Sequence, residues 1–140
     1  MMQLKHVDIS ELYDLFQERK DCFFVLSDIK HLVPINEISH KAGDLAILEQ
    51  MRRMTSAAGQ EDIVFRIGAD EFCILTSSNE ASYAEQIADK IHNMNDQTFS
   101  YEGREIPLSL HISTVSLKEC SRCEDLFAGL HNAIRKSKEL

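Results

Sequence analysis

The apolar positions of this chain repeat with two periods, and the points where one gives way to the other mark its elements. Asp8-Ile9-Ser10-Glu11 has the form of a capping box, and Leu12, Leu15 and Phe16 follow at helical spacing, which predicts a helix ending near Lys20. Cys22 to Leu26 is a continuous apolar run ending in Ser27-Asp28, the pattern of a central strand covered on both faces. Pro34 opens a helical stretch. A longer helix carries Leu45, Ile47, Leu48, Met51 and Met54 and fades at Ala57-Ala58-Gly59. Ile63 to Ile67 and Phe72 to Leu75 are two strands, joined through Gly68-Ala69-Asp70-Glu71, a segment short enough for a tight hairpin. Ala81 to Met94 is an amphipathic helix with Ala84, Ile87, Ala88 and Ile91 on one face. Thr98 to Tyr101 and Glu105 to Ser116 read as two more strands around the turn Glu102-Gly103. Arg122 to Lys138 closes the chain as a helix with Leu126, Leu130, Ala133 and Ile134 facing inward. The order α-β-α-α-β-β-α-β-β-α predicts an α/β (α+β) fold, in which two halves of β-α-β type around a hairpin share a mixed sheet with flanking helices.

Length and composition narrow this picture. A chain of 140 residues, 44% of them hydrophobic, fits one domain and buries a core without disulfide or metal staples. No apolar run approaches the length of a bilayer span, and Met1 to His6 contains no segment long enough for a signal peptide, so a cytoplasmic setting away from the membrane is expected. The net charge of −8, with no basic stripe, argues against DNA or RNA as a partner. It leaves nucleotides open, because a triphosphate is held through a divalent cation, one or two basic side chains and backbone N–H groups. Cys22 and Cys73 fall inside apolar strands and read as buried thiols. Cys120-Ser121-Arg122-Cys123 is a lone C-x-x-C, a redox pair, half of a zinc site or simply two unpaired thiols, and no second pair completes four zinc ligands.

The carboxylates carry the chemistry. Asp28 ends a buried strand, while Asp70 and Glu71 occupy the hairpin between the next two strands. Were those strands adjacent, three acids would meet at one rim of the sheet, a costly arrangement unless a cation neutralises them. Hard oxygen ligands of this kind suit Mg²⁺. The plainer alternative is a scatter of solvated acids at turns.

Family resemblance bears on that choice. Gly68-Ala69-Asp70-Glu71-Phe72 is similar to the Gly-Gly-Asp/Glu-Glu-Phe signature of the GGDEF family, the diguanylate cyclases, and Arg66 precedes it as is usual there. Asp28 to Glu37 resembles the family's D-x-D-x-F-K-x-x-N-D, and Ser39 to Asp44 resembles its G-H-x-x-G-D after a one-residue deletion. His111-Ile112-Ser113 falls at the family's S-x-G, and Ala133 to Lys138 resembles the A-L-Y-x-A-K of its last helix. The resemblance implies a palm-like nucleotidyl-cyclase sheet that condenses two GTP into cyclic di-GMP with Mg²⁺ or Mn²⁺. It implies that Asp28, Asp70 and the backbone carbonyl of Ile29 hold the metal, and that Glu71 assists at the metal or the attacking 3′-hydroxyl. Asn36 and Asp44 would bind the guanine edge, Gly68 would line the substrate, and Lys138 would meet the phosphates. It also implies a homodimer of GTP-loaded domains, controlled by a separate sensor or effector protein.

Several positions depart from the pattern. Lys30 replaces the second acid of D-x-D, and a lysine pointing into the site would interact with a carboxylate at ~4 Å by about 4 kcal/mol at an effective dielectric near 20. Val33 stands where the family has a phosphate-binding lysine, and Ala69 replaces the second signature glycine, a strained change if the position needs positive φ. Gly59-Gln60-Glu61-Asp62 lies where a product-inhibition motif R-x-x-D would be, and its arginine is missing. Two readings follow: a cyclase with impaired catalysis, or a catalytically degenerate domain that binds a nucleotide or a partner protein.

Overall fold

The computed structural model describes residues 4–5, 14 and 18–119. Most of the first predicted helix, the closing helix, the Cys120–Cys123 pair and Lys138 lie outside the described residues.

Strand β2 (Phe23–Ile29) has strands on both sides, as its unbroken apolar run requires. It pairs antiparallel with β4 (Phe72–Leu75) and with β7 (Leu110–Ser116). Strand β3 (Ile63–Arg66) pairs antiparallel with β4, and a short strand β1 (Leu4–Lys5), not anticipated from the sequence, runs parallel beside β3. The sheet order is β1-β3-β4-β2-β7, a mixed sheet of five strands. Three helices follow the expected order: α1 (Leu32–Ile38), α2 (His40–Ala57) and α3 (Ala81–His92). Val25 and Ile29 of β2 enter one core cluster with Ala42, Ala46 and Met54 of α2 and with Ala84, Ile87 and Ile91 of α3, so both helices cover the same face of the sheet.

Two expectations need correction. Glu105 to Ser116 is two strands. β6 (Arg104–Pro107) forms a separate ribbon with β5 (Thr98–Tyr101), and β7 returns to the main sheet. Pro107 has no N–H to carry a ladder onward, and the chain turns there, with the Leu108 amide bonding back to the Gln97 carbonyl. The ribbon's turn is as expected: Glu102 and Gly103 both have positive φ, the requirement of a tight hairpin turn. Of the apolar positions expected on α2, Met54 is buried and Ile47 and Met51 pack against the core, but Leu48 faces outward and the stripe reaches further than those residues suggest. Leu48 is 54% exposed, and the covered positions are Ala42, Gly43, Ala46, Gln50, Arg53, Met54 and Ala57. Small residues let the helix lie close to the sheet, and the two polar residues on the stripe each bond to backbone beyond it.

Arg53 is fully buried. Its guanidinium donates to the carbonyls of Leu108 (2.7 Å) and Gln97 (2.9 Å) and to Glu49 (2.8 Å), tying α2 to the base of the β5–β6 ribbon. Glu49 is held below the ordinary carboxylate range by the Arg52 hydrogen bond first, with Arg53 adding to it against the effect of burial. Asp62 is a second knot. Its carboxylate accepts from the Gly59 amide (2.5 Å), the Ser77 amide and hydroxyl (both 2.8 Å) and the Tyr83 hydroxyl (2.7 Å). Asp62 therefore serves the fold by joining the end of β4 to α3.

Replacing Arg53 by Met strips two buried carbonyls and Glu49 of their donor, and urea unfolding is expected to show a loss of about 3 kcal/mol. Because the folded-state pKa of Glu49 is depressed, its stabilising contribution is present above the unfolded carboxylate pKa and disappears as pH falls through the folded one. The stability gap between wild type and Glu49→Gln should therefore be largest near neutral pH and close below pH ~4.

Candidate functional site

The β3–β4 connection spans Ile67 to Glu71, since Arg66 and Phe72 are still paired. The amides of Ile67 (2.8 Å) and Gly68 (3.3 Å) both donate to the Glu71 carbonyl. Arg66 braces the turn from outside: its Nε donates to the Gly68 carbonyl (2.9 Å), a terminal nitrogen donates to the Ala69 carbonyl, and the guanidinium lies over the Phe72 ring, 5.8 Å from its centroid. Among the described residues, positive φ occurs at His31, Asp96, Glu102 and Gly103. Ala69 therefore replaces the signature glycine without backbone strain. At Gly68 a Cβ would lie 2.2 Å from Glu71 Oε1, so a larger residue there would push the Glu71 side chain aside.

This turn delivers Asp70 to the end of β2. The Ile29 amide donates to Asp70 Oδ2 at 3.1 Å, so the Asp70 carboxylate sits one peptide unit from Asp28. Asp28 is fully buried, Asp70 and Glu71 are half-buried, and His111 of β7 lies directly across from Asp28 in register. The structure thus joins Asp28, Ile29 and the Gly68–Glu71 turn at one rim. Two carboxylates and a backbone carbonyl are hard donors that suit Mg²⁺ or Mn²⁺, provided phosphates and water complete the shell. Among the described residues no three His, Cys, Asp or Glu side chains are grouped so as to hold a metal ion, so the expected meeting of Asp28, Asp70 and Glu71 as a cluster of three acids is not seen.

Asn36 lies in α1 and Asp44 in the first turn of α2, on either side of the short junction between the two helices. Ser39 caps α2 through the Lys41 amide, and the Asn36 carboxamide lies so close to Gly43 that a Cβ there would stand 1.8 Å from Asn36 Oδ1. Gly43 thereby seats Asn36 beside Asp44, which is exposed in the first turn of α2.

Lys30 does not occupy the acidic rim. It lines a cavity of about 330 Å³ between α1 and the β5–β6 ribbon, with Ile35, Ile38, Ile106 and Pro107. Val33 is 67% exposed on α1 and offers no donor.

Sequence reasoning missed Gln50. Its side chain is fully buried, and Nε2 donates to Ser27 Oγ (3.0 Å) and to the Asp70 carbonyl (2.7 Å). The available signal was the i, i+4, i+7, i+8, i+11 run of Ala46, Gln50, Arg53, Met54 and Ala57, which places two polar residues on a covered face.

The sequence from residue 6 to residue 140 matches the family model for the diguanylate cyclase GGDEF domain. Diguanylate cyclase A of Treponema denticola is 28% identical over 102 residues, covering 71% of this chain but only 28% of its own length. The GGDEF domain of YfiN (TpbB) from Pseudomonas aeruginosa superposes with a TM-score of 0.83 at 22% identity, covering 94% of this chain and 81% of that one. The GGDEF domain of DgcB from Caulobacter crescentus, solved in complex with c-di-GMP, gives 0.77 at 16% identity, covering 93% and 81%. No described helix is long and apolar enough to cross a membrane. With the signature turn at the end of the central strand and a family match spanning nearly its whole length, this chain belongs to the GGDEF family and is a diguanylate cyclase-like domain.

Proposed function

We propose that this chain is a slow diguanylate cyclase, acting in the cytoplasm as a homodimer of GTP-loaded domains. The observation that carries the proposal is the 3.1 Å hydrogen bond from the Ile29 amide to Asp70, which brings the metal-binding candidates Asp28, Ile29 and Asp70 to one rim. Lys30, the replacement most threatening to a cation there, lines the cavity beside α1.

Asn36 and Asp44 would select guanine, since a carboxylate accepts from its N1–H and N2–H₂, a pairing adenine does not offer. Asp28, Asp70 and the Ile29 carbonyl would hold Mg²⁺ or Mn²⁺. When bound, the metal supplies charge neutralisation at the phosphates and a lower pKa for the attacking hydroxyl. Glu71, next to Gly68 at the turn, is the group to receive the proton of the 3′-hydroxyl. Each 3′-oxygen forms a bond to the α-phosphorus of the facing nucleotide, and the bond to pyrophosphate breaks. Two such steps yield cyclic di-GMP and two pyrophosphates. Positioning by the facing copies supplies most of the acceleration, so a separate sensor or effector that governs their encounter would govern the rate. Lys138 would add a phosphate contact from the closing helix.

The slowness follows from Val33, where an exposed apolar side chain replaces a cation. That same observation favours the alternative, a domain that holds GTP without turning it over. The Asp62 carboxylate is fully engaged in the fold, and its partner arginine is missing, so feedback by product at that motif is not expected.

Purified protein incubated with GTP and Mg²⁺ or Mn²⁺ is expected to form cyclic di-GMP, detected by mass-resolved chromatography, and Asp70→Ala is expected to lower the rate about 100-fold. GTP binding without product at high protein concentration would favour the binding module. Val33→Lys is expected to raise turnover about 10-fold, equivalent to one recovered charge-assisted contact of about 1.4 kcal/mol.

A further inference from the structure

The two halves of the proposed site are connected by one helix, and one side chain on that helix touches the catalytic rim. Asp44 lies in the first turn of α2, and Gln50 is six residues further on, about 9 Å along the axis at 1.5 Å per residue. There the Gln50 carboxamide spans the gap between β2 and the signature turn, donating to Ser27, the neighbour of Asp28, and to the carbonyl of Asp70 itself. Its orientation is fixed by chemistry. A backbone carbonyl only accepts, so the nitrogen of the carboxamide must face Asp70. Gln50 Oε1 is buried and has no hydrogen-bond partner among the described residues, a cost that an apolar side chain of the same volume would not incur. The sequence around it offers packing only: Ala46, Met54 and Ala57 are all apolar.

We infer that Gln50 is a positioning residue: it locks the Asp70 backbone to β2, so that the Asp70 carboxylate stays on the Ile29 amide and within reach of whatever Asp28 binds. The inference rests on the metal reading given above and deepens it. Without the two Gln50 donors the turn is still braced by Arg66 from its solvent side, and its remaining tie to the end of β2 is the bond from the Ile29 amide to the Asp70 carboxylate itself. The result would be a looser carboxylate pair in an otherwise intact fold. Recognition of guanine at the other end of α2 would be untouched.

The test compares wild type, Gln50→Met and Gln50→Leu. Met fills the same volume without donors, and it guards against a Leu variant that fails to fold. Two measurements are made, one free of metal. In the apo protein, exchange of the Ile29 amide, followed by NMR, is expected to accelerate at least 10-fold in Gln50→Met relative to the other protected amides of β2. Calorimetric titration of Mn²⁺ in the presence of a non-hydrolysable GTP analogue is expected to show about 10-fold weaker metal binding, with the preference for the guanine over the adenine analogue unchanged. Ile29 exchange and Mn²⁺ affinity equal to wild type would overturn the inference. So would uniform acceleration of all β2 amides, which marks a residue that serves only stability. Wild-type protein that binds no Mn²⁺ would instead overturn the metal reading itself, and that outcome is separately visible because Asp70→Ala would then match wild type.

Discussion

A carboxylate accepting a hydrogen bond from the amide that follows another carboxylate is the contact on which this site turns. Asp70 and Asp28 are 42 positions apart in number, and they meet only because β4 runs antiparallel to β2 in a register that leaves Ser27 opposite Phe72. A slip of that register by one residue would send Asp28 to the opposite face and carry the signature turn past the end of its neighbour. The apolar run of β2, covered on both sides, is what prevents the slip. Packing of the strand and geometry of the rim are therefore one constraint seen from two ends.

Much of this was legible in the chain. The run Cys22 to Leu26 announced a central strand, Ile63 to Ile67 and Phe72 to Leu75 two more, and Gly68 to Glu71 the hairpin between them, because each signal is local. The split of Glu105 to Ser116 was less visible: both pieces favour strand, and only the tertiary return of β7 to β2 shows that Pro107 separates two sheets. Helix α2 misled in an instructive way. Hydrophobic size pointed to Leu48, whereas the buried stripe was chosen by how closely a helix of small residues could approach the sheet. Gln50 and Arg53 sit on that stripe because backbone acceptors await them in other elements, and such acceptors have no trace in the local sequence.

The departures from the family pattern separate into harmless and consequential by geometry. Ala69 keeps an ordinary backbone conformation, so the loss of a glycine there costs no strain. Lys30 lines a largely apolar cavity flanking α1, a setting in which a lysine stem can lie along apolar surface. Val33 has no such accommodation. It leaves an exposed apolar side chain where the family pattern has a lysine, so a positive charge is lost there.

The ribbon of β5 and β6 has a consequence beyond the site. Two strands alone are barely stable in water, and this pair is anchored at its base by the buried guanidinium of Arg53, while its far end, Glu102-Gly103, is exposed and held only by its own turn. Ile106 enters the core and Phe99 and Tyr101 pack against it, so the exposed turn projects from a ribbon seated along its length. The exposed tip is thus a natural place to graft a fluorophore, an affinity handle or a guest sequence.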